Sequence, residues 1–154
     1  MKTLLKTLFI VLIAISFTAC SSGDEDRPSQ TTQPSEPEFT AFELEHGIGP
    51  VTEVVELGEL NAELVAKGKD IFLMKCDACH NMDSRMVGPP LGDVLENRSA
   101  AFVMNFILNP SGMARQHPEG KKLLAEYMTP MPFQNVSKDE ARAIVEYLRT
   151  QNSN

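Results

Sequence analysis

Apolar positions recur at helical spacing in several stretches of the chain. Leu64, Val65, Ile71 and Phe72 mark one face of a helix predicted over residues 62–75, with Asn61 placed to cap it. A second apolar stretch, residues 100–108, follows a capping Ser99 and stops at Asn109-Pro110. A third helix is predicted from Glu119 to about Glu126, just after Pro118. Ser137 and Glu140 form a capping box that opens a last helix, running to about Thr150. Residues 76–98 and 127–136, rich in Gly, Pro and Asp, read as loops. No strand pattern and no repeat is visible, so the fold class is all-α, with four to five short helices.

The N-terminus follows another pattern. Lys2 and Lys6 precede an apolar run from Leu8 to Phe17 that is too short to span a bilayer. Residues 1–19 therefore read as a signal peptide. Phe17-Thr18-Ala19-Cys20 resembles a bacterial lipobox, with Phe17 where that pattern usually has Leu. The resemblance implies cleavage before Cys20 and lipid on its sulfur, several acyl chains giving a stable membrane anchor. Residues 20–46 are polar, acidic and Pro-rich, too poor in apolar surface to order themselves, and read as a tether. About 25 such residues span roughly 25–30 Å. Residues 47–60 regain apolar spacing and read as an extended arm along the domain surface. Residues 61–154 are the domain itself.

Charge sharpens this division. The formal net charge is −7, and −9 once Lys2 and Lys6 are removed. Residues 20–63 hold eleven acids and one base, whereas residues 64–154 hold ten acids and eleven bases. The domain is near neutral and has no basic stripe, which argues against nucleic-acid binding.

The chemistry sits at residues 76–80, Cys-Asp-Ala-Cys-His. Thiols three positions apart can each add to one vinyl group of a single porphyrin, and the adjacent His then faces the iron. A redox C-x-x-C would want a preceding strand, and a zinc site a second pair of ligands. Cys20, Cys76 and Cys79 are the three cysteines, so lipid and haem account for all of them. Such an iron would need a sixth ligand, and a soft thioether is a candidate that the chain's many methionines could supply. Met74, Met82 and Met86 lie close in sequence to His80, and Met104 falls on an apolar helix as a core residue. Met113, Met128 and Met131 stay open on these grounds. Pro132 stiffens the backbone beside Met131, and Phe133 is placed to cover a haem edge.

Over residues 62–151 the chain resembles class I, cytochrome-c-type monohaem domains. Gly68 and Phe72 precede the first haem Cys by eight and four residues, and Gly88-Pro89-Pro90-Leu91 is similar to the proximal loop. Met131 with Phe133 resembles the distal loop, and Tyr147-Leu148 the crossing of last helix on first. The resemblance implies one covalent haem c held by Cys76 and Cys79. It implies His80 and Met131 as axial ligands, Met128 being second choice. Pro89 would accept a bond from His80, and Leu91 and Phe133 would line the haem. Arg98 is a candidate for a propionate, since guanidinium matches carboxylate geometry. His46, His117 and the Lys121-Lys122 pair are expected at the surface. The arm and the segment near His117 resemble lipoprotein cytochromes associated with nitrous oxide reductase.

The expected function is single-electron transfer outside the cytoplasm, with the protein lipid-anchored to a bacterial membrane and the domain in the periplasm or on the cell exterior. The implied donor is a quinol-oxidising complex. The implied acceptor is a terminal oxidase or a periplasmic reductase such as nitrous oxide reductase. The alternative is a peroxidase-like haem enzyme or a gas-sensing module, either of which needs a displaceable sixth ligand.

Overall fold

The computed structural model describes residues 38–151. The signal peptide, Cys20 and the tether up to residue 37 lie outside them. Among the described residues there are seven helices and no strand: α1 (Ala41–His46), α2 (Ala62–Lys75), α3 (Val94–Asn97), α4 (Ala100–Leu108), α5 (Pro110–Gln116), α6 (Pro118–Tyr127) and α7 (Lys138–Leu148).

The expected caps are present. Asn61 accepts the Leu64 amide at 3.0 Å, Ser99 accepts that of Phe102 at 3.1 Å, and Ser137 and Glu140 close a capping box. Helices α2 and α7 cross at Gly68, where a Cβ would collide with the Ala143 carbonyl. Phe72 and Tyr147 pack above the crossing, ring centroids 5.5 Å apart. Glu146, fully buried on α7, accepts the Asn61 amide at 2.9 Å and binds Arg142 and Arg149. Burial alone would push this carboxyl up, but the amide and the two guanidinium groups outweigh it and hold it below the ordinary carboxylate value. Helix α4 is buried on nearly every side and forms the centre of the core.

Three helices exceed expectation. Pro110 ends α4 and also begins α5, because a first-turn residue has no helical partner for its amide and proline lacks one. Residues 94–97 coil into α3 inside the expected loop. Helix α1 lies in residues 41–46, which sequence assigned to the tether; Thr40 and Glu43 form its capping box.

Helix α1 and the arm after it form a strap tied to α4, α5 and the turn between α5 and α6. Buried Asn105 of α4 donates to the His46 and Val51 carbonyls and accepts the Val51 amide at 2.9 Å. Asn109 donates to the Ile48 carbonyl at 3.0 Å, and the Met113 sulfur accepts the Ile48 amide at 3.2 Å. His117 is completely buried: Nε2 donates to the Glu43 carbonyl at 3.0 Å, and Nδ1 accepts the Glu119 amide, capping α6. His46 is also buried, with Nδ1 2.8 Å from the Ser99 hydroxyl. Neither histidine is at the surface as expected. His117 has a partner for each ring nitrogen, and His46 has the Ser99 hydroxyl at Nδ1 with the exposed Glu45 carboxylate 3.9 Å from Nε2.

Candidate functional site

Helix α2 ends by delivering the chain into a tight turn. The Cys79 and His80 amides both donate to the Cys76 carbonyl at 3.0 Å, which sets residues 76–80 as one compact unit. Both sulfurs are half-buried and neither is in a disulfide. Before haem is attached, burial, with Asp77 beside it, pushes the Cys76 thiol up to about 11.

The next segment folds back on this turn. The Gly88 amide donates to the Cys79 carbonyl at 2.9 Å, and the Leu91 amide to the Asn81 carbonyl at 2.9 Å. This return places the Pro89 carbonyl 2.8 Å from Nδ1 of His80. A carbonyl only accepts, so Nδ1 carries the proton and Nε2 is left as the lone-pair nitrogen. Gly88 packs against the ring, and a Cβ there would overlap it.

Cys76, Cys79, His80 and Met131 all line one cavity of about 720 Å³. That volume is ordinary for a cofactor site. Phe72, Phe102 and Phe106 give it an aromatic lining. Pro89, Leu91 and Arg98 also line it, as expected. The Arg98 guanidinium is bonded to Glu119 at 2.5 Å and sits over the Phe102 ring. Lys122, which binds the same carboxylate, and then Arg98 hold Glu119 below the ordinary carboxylate value against the effect of burial.

Two expected residues stand elsewhere. Phe133 is 59% exposed and does not line the cavity. Residues 129–132 and Gln134 do, and Phe133 alone of residues 129–134 is turned away. Met128 is 81% exposed at the left-handed end of α6 and also does not line the cavity. Met113 is spent on the strap. Of the seven methionines from residue 74 onward, the lining includes Met82 and Met131. Met82 follows His80 by two residues on the same folded-back segment. Met131 reaches the cavity from a separate loop. Phe102, Phe106 and Tyr127 were not singled out from sequence, because an aromatic at helical spacing reads alike whether it faces protein or cofactor.

The donor set is two thiols on one turn, an oriented imidazole and a thioether on an independent loop, around an apolar space. That set fits a haem. Among the described residues no three His, Cys, Asp or Glu converge to hold a metal ion directly. The family model for cytochrome c matches residues 65–152.

The chain belongs to the cytochrome c family. Cytochrome c from Rhodothermus marinus is 44% identical, with TM-score 0.66, over 70% of this chain and 93% of that one. An engineered cytochrome c from the same organism is 41% identical, with TM-score 0.68, over 73% and 97%. The engineered protein bound to a carbene intermediate superposes at TM-score 0.65. No curated protein matches the chain. As a cytochrome c, the protein carries covalent haem c at the Cys76–Cys79 pair and is a haem electron carrier.

Proposed function

We propose that this cytochrome c is a closed-site carrier, with the haem iron held between His80 Nε2 and the Met131 sulfur. The observation that carries this reading is the sorting of the methionines: Met131 is the one lining methionine that lies outside the segment bearing His80. A thioether opposite imidazole suits a carrier, because it raises the reduction potential and leaves no position for substrate. The bound haem supplies one reversible electron between ferric and ferrous iron. The chain's part is to keep both ligands in place in either state. His80 is oriented by the Pro89 carbonyl and by Gly88 under its ring, and the apolar lining excludes water. Arg98, on the cavity wall, is proposed to face a propionate with the N–H groups that Glu119 leaves unused.

The acidic leader and the lipobox-like Cys20 support a carrier tethered outside the cytoplasm, taking electrons from a membrane quinol-oxidising complex and passing them to a terminal oxidase or an exported reductase. The test is optical. The oxidised protein is expected to show the weak red band of sulfur on ferric iron. Met131→Ala should abolish it, while Met82→Ala and Met128→Ala keep it. Ready binding of carbon monoxide by the reduced wild type would instead support an open site, as in a haem enzyme or gas sensor.

A further inference from the structure

The loop that carries Met131 does little to hold its own shape. It runs from Met128 to Asn135, and both end residues have left-handed backbones, with φ of 55° and 50°. Within it, the Gln134 side chain donates to the Pro132 carbonyl at 3.3 Å. Its stronger attachments come from outside, at the two ends. Lys75 Nζ donates to the Asn135 carbonyl at 3.1 Å and the Gln134 carbonyl at 3.3 Å. At the other end Arg85 donates to the Glu126 carbonyl at 2.8 Å, and its guanidinium lies over the Tyr127 ring at 4.1 Å.

Both cations belong to the segment that bears the haem ligands. Lys75 immediately precedes Cys76, and Arg85 follows His80 by five residues. The segment attached to one side of the haem therefore grips this loop directly at its far end, through the Gln134 and Asn135 carbonyls, and grips the last turn of α6, which leads into the loop, through Glu126 and Tyr127. The Glu126 carbonyl lies in the last turn of α6, where Pro130 offers no amide to it, and the Gln134 and Asn135 carbonyls lie outside any helix, so all three can accept these bonds.

We infer that Lys75 and Arg85 are positioning residues which together set how readily the sixth position of the iron opens. This rests on the reading of Met131 as ligand. Each pin opposes the outward swing of the loop that Met131 must make to leave. The two act at opposite ends, so their effects multiply.

The test is titration of the oxidised holoprotein with imidazole, at a temperature where every variant is fully folded. Lys75→Met and Arg85→Met are each expected to raise imidazole affinity about fivefold, the worth of one net hydrogen bond, and the double variant about twenty-five-fold. Lys75→Arg should stay within about twofold of wild type, since it keeps a donor at that end. Lys122→Met, which removes a cation bonded to Glu119, should leave the affinity unchanged. A wild type that shows the red sulfur band, but whose double variant binds imidazole no more tightly, overturns this inference alone. A wild type without the band overturns the Met131 reading and this inference with it.

Discussion

At the scale of single residues, the site depends on what stands beside each ligand. Gly88 matters because the His80 ring, pinned through Nδ1 to the Pro89 carbonyl, occupies the space a side chain would take. Gly88→Ala is expected to tilt the imidazole and weaken its bond to iron. An appreciable high-spin fraction should appear in the oxidised spectrum, where the wild type is low-spin; an unchanged spectrum would show that the ring has room to yield. Contiguous chemistry was the most legible part of the sequence. Two thioether bonds and an adjacent imidazole require Cys76, Cys79 and His80 to be neighbours in the chain. The Pro89 contact also followed from resemblance, because it spans only nine residues. Residues whose role depends on the direction of a loop were less legible. Phe133 and Pro132 differ by one position, yet one faces solvent and the other the cavity. His117 carried no local sign of burial, since its partner is a carbonyl 74 residues earlier.

At the scale of elements, two contacts hold the frame around the site. The α2–α7 crossing at Gly68 brings one backbone against another. Gly68→Ala should cost about 3 kcal/mol by forcing the helices apart, measured by chemical denaturation. Glu146 ties the same two helices electrostatically. Its folded-state carboxyl lies below the ordinary value, so its contribution is present above about pH 4 and is lost as pH falls through the lower, folded value. Wild-type stability should therefore drop more steeply on acidification than that of Glu146→Gln. Equal slopes would remove Glu146 from the account. Helix α1 is the part of the strap that sequence reading missed, while residues 47–60 were legible as an arm along the domain surface. Caps at Asn61, Ser99 and Ser137 were readable because a cap and its amide lie three residues apart. The strap is held by Asn105, more than fifty residues away, and the acidic, Pro-flanked composition around α1 disguised that helix as tether. Asn105→Ala should cost about 3 kcal/mol by orphaning the Val51 amide and the strap carbonyls, and should open residues 47–51 to proteolysis.

At the scale of the whole molecule, the cavity decides what the fold requires. Without haem, water or collapse would have to fill about 720 Å³ beside a largely apolar lining, and either weakens the packing of the helices around it. Protein made in a host that cannot attach haem is thus expected to lack a cooperative thermal transition. The anchor belongs to this scale as well: Cys20→Ala should move the protein from the membrane fraction to the soluble one, and unaltered partitioning would refute the proposed lipid attachment. The central claim is that haem fills this space, bonded to the turn at residues 76–80. It is tested most directly by the intact mass of the mature protein from a haem-attaching host. The expected result is the polypeptide plus one haem that survives denaturation, with that increment absent in Cys76→Ala/Cys79→Ala. A denatured wild type with no added tetrapyrrole mass would contradict the account.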